Sequence, residues 1–216
     1  MKIRHIAAAM AATLVVAVPT AAFAGGSPYI VSVGGSAVGA SGHPITASST
    51  GAVQVSARNL SSTVVNMNCT WAAMTGTVTS GTAVNPVLSF PALATNFTGC
   101  SVPGGPATGT RLSPSHFVGT GTNATTSIET VAGHLSVHAT FSVTANPNVC
   151  SFTIDGHARA SFDEATQRLI LNESGYTGNL VVTSVRGCLG RLQVGNPVNL
   201  ITALDVLSPD GLIDLS

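Results

Sequence analysis

The chain has 216 residues, only 7% of them charged, with eight Lys+Arg balancing eight Asp+Glu. Soluble domains usually carry about 25% charged residues. So few cations exclude a nucleic-acid partner, which is held by cations that displace its counterions, and 44% hydrophobic residues exclude a chain kept disordered by charge.

The first 24 residues read as an export signal. Lys2 and Arg4 make a positive start, residues 6–18 form an apolar run too short to span a bilayer comfortably, and Ala22-Phe23-Ala24 is a small-x-small cleavage site. Cleavage between Ala24 and Gly25 is expected to leave residues 25–216 as a single secreted or cell-envelope domain. That domain has no transmembrane segment and no lipid-accepting Cys at its start. It also has no lysine, because Lys2 is the only one. Its cations are Arg58, Arg111, Arg159, Arg168, Arg186 and Arg191, against eight carboxylates. A surface polar through hydroxyls and amides repels its copies weakly, which favours self-association or contact with a hydrophobic interface.

Along the remaining chain, period-2 alternation and Val/Thr/Ile enrichment predict strands at 52–57, 69–79, 87–93, 134–144, 151–162, 168–172, 180–185 and 198–207. The stretch 134–144 is the cleanest, with Leu135, Val137, Ala139, Phe141 and Val143 on one face and His134, Ser136, His138 and Thr140 on the other. Ser80-Gly81, Gly104-Gly105-Pro106, Asn146-Pro147, Gly195-Asn196-Pro197 and Pro209-Asp210-Gly211 supply turns, and 163–167 a hairpin loop. No helix of ten residues is predicted after the signal. Short strands punctuated by Gly/Pro turns imply an all-β fold, an antiparallel β-sandwich of Greek-key or jelly-roll type.

Four cysteines behind a signal peptide predict two disulfides, with three possible pairings. A half-repeat favours Cys69–Cys100 and Cys150–Cys188. Cys69-Thr70-Trp71 leads to Gly76, Cys150-Ser151-Phe152 leads to Gly156, and each segment returns to Gly99-Cys100 or Gly187-Cys188. Zinc is excluded by the absence of closely spaced cysteine pairs.

This organisation resembles a known family. The start Cys69-Thr70 through Thr75-Gly76-Thr77-Val78, with a second Cys about thirty residues on, is similar to the small secreted alkane-oxidation activator and biofilm-associated proteins of pseudomonads. The second half, from Cys150 through Leu169 and Asn172 to Val185-Arg186-Gly187-Cys188-Leu189-Gly190, is similar to secreted actinobacterial proteins of unknown function. The resemblance implies an exported non-enzymatic protein that meets hydrocarbons or belongs to a biofilm matrix, and it brings no catalytic residues. The chain departs from the pseudomonad pattern in its length and its second cysteine pair.

Candidate chemistry is sparse, and no cofactor, metal or catalytic residue is expected. His134 and His138 would lie about 13 Å apart on one strand, too far to share a metal ion. Asp155-Gly156-His157 suits a turn or bulge better than an acid–base pair. Asp163-Glu164 alone cannot supply a calcium shell of six to eight oxygens, and Asp205, Asp210 and Asp214 join it only if the tail folds back. Trp71, the only tryptophan, packs near a disulfide or stacks on a sugar or apolar ligand. No nucleophile elbow, zinc-protease motif, P-loop or dinucleotide fingerprint occurs. The reading reached is a secreted structural or interfacial protein: biofilm matrix, cell surface or hydrocarbon contact. The alternatives are a β-sandwich binding a small ligand or glycan, and a pilin or adhesin subunit using residues 29–33 as a donated strand.

Overall fold

A computed structural model of the chain describes residues 31–38, 42–79, 87–90, 96–102, 105–119, 130–143 and 150–215. The export signal, with its cleavage point at Ala24 and Gly25, lies outside the described residues. The strands are β1 Val31–Val33, β2 Ser36–Ala37, β3 His43–Ser49, β4 Val53–Arg58, β5 Val64–Cys69, β6 Trp71–Val78, β7 Leu88–Phe90, β8 Asn96–Val102, β9 Gly105–Arg111, β10 Ser115–Gly119, β11 Thr130–Val143, β12 Cys150–Asp163, β13 Arg168–Glu173, β14 Leu180–Gly187, β15 Val198–Leu207 and β16 Ile213–Leu215. Among the described residues there is no α-helix; Cys188–Gly190 makes one 3-10 turn. The all-β expectation holds. Strands β3, β5, β8, β9, β10 and β16 fall outside the predicted spans. Most are rich in Ser, Thr, Gly and Ala, small side chains that leave little hydrophobic contrast between the two faces; β5 is the exception, with Val65, Met67 and Cys69 inward between Val64, Asn66 and Asn68.

The alternation predicted for 134–144 is realised in β11. Leu135, Ala139, Phe141 and Val143 are buried and Val137 packs against the core, while β12 runs alongside from Thr130 opposite Asp163 to Ser142 opposite Ser151. Inward residues of both cysteine-bracketed halves, such as Leu88 and Phe90 with Phe152 and Phe162, join one hydrophobic cluster. Phe97 and Phe152 both meet the Phe141 ring, at centroid distances of 5.5 and 5.6 Å. Clusters of this kind hold sheets face to face, at about 25 cal/mol for each Å² of apolar surface withdrawn from water.

Thirteen strands share one antiparallel network in the order β14-β12-β13-β15-β3-β6-β7-β10-β11-β9-β8-β5-β4, with further pairings β12–β11, β15–β4 and β6–β8. These extra pairings fold the network back on itself. Strands β6, β8, β11, β12 and β15 each divide one edge between two partners. Among the described residues every strand of the network except β14 has strand partners on both sides. Without lysines, open edges would invite strand addition; closure leaves few such edges.

Both disulfides form as expected, Cys69–Cys100 and Cys150–Cys188. The half-repeat behind that expectation is present in the pairing. In β6, residues 71–73 pair with β8 and residues 77–78 with β7. In β12, residues 150–156 pair with β14 and residues 160–163 with β13. One detail is corrected: Cys150 opens its strand, but Cys69 closes β5, and Thr70 separates it from β6. Trp71 opens β6, and its side chain lies outside the described residues.

Gly76 and Gly156 sit where each divided edge passes from one partner to the other. A Cβ on Gly76 would lie 2.2 Å from the Ser89 carbonyl oxygen, and one on Gly156 2.1 Å from that of Asn179. Gly156 also has φ +135°, a conformation L side chains rarely adopt. Gly156→Ala is therefore expected to cost about 2–3 kcal/mol, from backbone strain plus the displaced carbonyl. Urea unfolding monitored by circular dichroism would check this, and an unchanged midpoint would contradict it.

The remaining sheet has the order β16-β1-β2. Val31 lies opposite Leu215 and Val33 opposite Ile213. The segment considered as a donated strand is thus paired within its own chain over Val31–Val33; Tyr29 and Ile30 lie outside the described residues.

Candidate functional site

The strand alternation that buries Ala107 in β9 also turns Arg111 inward. Only 6% exposed, Arg111 reaches a chamber of about 50 Å³ lined by apolar side chains including Met74, Phe97, Leu135 and Leu204, and by the hydroxyl residues Ser115 and Thr202. That volume holds about three or four waters. Arg111 Nη1 lies 3.3 Å from Met74 Sδ. Burial lowers the guanidinium pKa to about 10, because an apolar surrounding penalises the charged form. Thr202 Oγ1 is buried with no hydrogen-bond partner among the described residues. The surface this chamber offers a ligand is almost wholly apolar, so it suits a small apolar group. Composition gave Arg111 only as one of six cations beyond the signal. Its inward position was legible only in the faint period-2 pattern Ala107, Gly109, Arg111.

On the outer face of β10–β11–β12, His134 meets His157 edge to face with ring centroids 5.0 Å apart. Ser136, opposite His157, accepts the backbone N–H of His116 at 2.8 Å, and His116 Nδ1 lies 3.1 Å from Ser89 Oγ. His138 instead lies opposite Asp155, so the ring neighbour of His134 comes from the adjacent strand and not from the i+4 position. A diagonal cross-strand pair depends on register, which sequence spacing does not contain. Among the described residues no three His, Cys, Asp or Glu side chains converge as a metal site.

Burial first, then the His157 charge, holds the His134 pKa below its ordinary value; burial and then Arg111 do the same for His116. Both rings are neutral in the stable state. Their stabilising contribution is full above the ordinary histidine pKa of about 6.5 and is lost as pH falls through the depressed folded values. Thermal midpoints should therefore drop between pH 7.5 and pH 5, and His116→Gln/His134→Gln should flatten that slope. An equally steep slope in the double variant would contradict the assignment.

The C-terminal tail does fold back on the 163–167 hairpin. Gln167 Nε2 donates to the Glu164 and Ile213 carbonyls, the Gln167 side-chain oxygen accepts the Ile213 N–H, and Glu164 Oε1 accepts the Leu215 N–H at 2.6 Å. The nearby carboxylates serve the fold. Asp163 accepts the Thr166 N–H, Asp205 pairs with Arg168 at 2.8 Å, and Asp210 lies 2.7 Å from His43 Nδ1. The arrangement ties the tail to the sheet. Asp155, the other half of the considered acid–base pair, bonds the Gly156 N–H and stays exposed within β12.

The five most exposed large aliphatic side chains, 62–93% exposed, lie in two groups. Leu60, Leu189 and Val194 occupy the β4–β5 turn and the loop after β14, which Asn59 Nδ2 ties together by donating to the Arg191 carbonyl at 3.2 Å. Leu207 and Leu212 occupy the end of β15 and the turn before β16. Sequence alternation missed both groups because they sit in turns and at a strand end. In comparisons with known proteins, the chain matches no family model, no curated protein and no solved structure.

Proposed function

We propose that this chain is an exported, non-enzymatic structural protein that works by associating with itself and with apolar interfaces, as matrix component, surface coat or hydrocarbon-contact protein. The observation that carries the reading is the pair of exposed aliphatic groups at loops and turns, on a surface with little charge to hold copies apart. The two disulfides fit an oxidising compartment. The resemblance of the Cys69–Val78 start to the alkane-oxidation activator and biofilm-associated proteins points the same way.

Binding to hexadecane droplets and lowering of surface tension test the interfacial part. The wild type should adsorb, and Leu60→Ser/Leu189→Ser/Val194→Ser should adsorb several-fold less. Equal adsorption by both would remove the exposed loops from the explanation.

The Arg111 chamber supports a second reading, a binding module for a small ligand. Its volume and apolar walls limit the ligand to a few apolar heavy atoms, such as a short alkane. Propane or xenon should then raise the thermal midpoint of the wild type and not of Ala139→Leu, whose added side chain fills the chamber. No shift in the wild type at millimolar ligand would exclude it.

A further inference from the structure

The two aliphatic groups lie at opposite ends of β15. Its start is fixed beside the β4–β5 turn, since Arg58 N–H donates to the Pro197 carbonyl and Val198 lies opposite Ala57. Its end reaches Leu207 and the turn at Asp210–Gly211. Ten residues of strand place these ends on the order of 30 Å apart.

The ends differ in charge. Segments 58–64 and 184–197 contain Arg58, Arg186 and Arg191 and no carboxylate. All three arginines are exposed, and Arg58 stacks 4.0 Å over the Tyr176 ring. Segments 163–168 and 205–214 contain Asp163, Glu164, Asp205, Asp210 and Asp214 against the single Arg168. Arg168–Asp205, His43–Asp210 and the Glu164 and Gln167 bonds to the tail hold the second group at one end. Three of six arginines beyond the signal thus accompany Leu60, Leu189 and Val194, while five of eight carboxylates, the buried Glu164 among them, accompany Leu207 and Leu212.

We infer that the arginine-and-leucine end of one copy docks on the carboxylate-and-leucine end of the next, joining copies head to tail. The inference rests on the self-association proposed above and names the partner as a second copy of this chain. Each end presents aliphatic side chains to be withdrawn from water, and each carries the charge the other lacks. Opposite charge fixes which ends meet and penalises like-end contacts. Because the two patches differ, the contact is heterologous, and repetition gives an open linear assembly unless the rotation closes a ring. Strand addition is not required, in keeping with the nearly closed edges.

The test is sedimentation velocity of the purified protein across concentrations, in 20 mM and 500 mM NaCl. The wild type should form larger species with concentration, and high salt should weaken them, because exposed charges are screened. Arg186→Glu/Arg191→Glu makes both ends acidic, and Asp163→Lys/Asp205→Lys/Asp210→Lys makes the second end basic like the first. Each variant alone should associate at least roughly tenfold more weakly. An equimolar mixture should regain assembly, because opposite ends then meet; misfolded variants would not do so. Wild-type assembly that both variants retain would overturn the docking and leave the self-association reading in place. A wild type that stays monomeric at every concentration and salt would overturn both.

Discussion

Replacing Cys150 and Cys188 with alanine is expected to lower the unfolding free energy by about 4 kcal/mol. The disulfide closes a separation of 38 residues, and in the chain-entropy model the penalty grows with the logarithm of that length. The enclosed segment carries β13, β14 and nearly all of β12, so the unfolded state regains the freedom of three strands. Both cysteines are buried, and Cys150 lies opposite Gly187 at the end of the β12–β14 ladder. Removing Cys69–Cys100, with a separation of 31 residues, should cost slightly less, about 3.5–4 kcal/mol. Domains are typically stable by about 5–15 kcal/mol, so loss of both bridges should leave much of the protein unfolded at 37 °C. Urea unfolding of the three variants checks this. A midpoint unchanged in Cys150→Ala/Cys188→Ala would contradict it.

Glu173→Ala should destabilise the protein by about 3–4 kcal/mol. Glu173 ends β13, is 0% exposed, and acts as the acceptor for a loop and a neighbouring strand. Its Oε2 accepts the Arg159 N–H at 2.9 Å, and its Oε1 accepts the Thr177 hydroxyl and, at 3.4 Å, the Asn179 amide. Truncation leaves these donors without their acceptor and opens a cavity beneath residues 174–179. Asn179 in turn accepts the His157 N–H at 2.9 Å, so the loss should spread to the outer histidine face. Glu173→Gln keeps the shape and one acceptor oxygen, and should lose about half as much. Chemical denaturation gives the two values. A surface-like loss below about 0.5 kcal/mol for Glu173→Ala would contradict the assignment.

Glu173 also marks a limit of sequence reading. Nothing in Leu171-Asn172-Glu173-Ser174 separates a buried acceptor from a solvated carboxylate, because its partners Arg159, Thr177 and Asn179 come from β12 and the loop before β14. Arg111 shows the same limit. Its inward direction follows from strand alternation, but the chamber it enters is assembled from side chains of several strands. His134 was compared with His138, its neighbour along the chain, whereas its ring partner is His157 on the next strand.

The β class, the clean two-faced pattern of β11 and the hairpin at 163–167 were legible in the residues alone, as was a preference among the three cysteine pairings. These depend on period-2 contrast, turn chemistry and a motif that recurs around each Cys, all local in the chain. Long-range packing sets which strands share an edge, which glycines lie under a crossing carbonyl, and that Arg58, Arg186 and Arg191 stand at the opposite end of β15 from Asp205, Asp210 and Asp214. Those outcomes depend on register and long-range pairing. In an antiparallel network a neighbour in space can be more than a hundred residues away in sequence, as Tyr176 Oη and Ser56 Oγ are at 3.2 Å. Local composition in a chain so rich in Ser, Thr and Gly carries too little contrast to select such partners; packing around one shared core selects them.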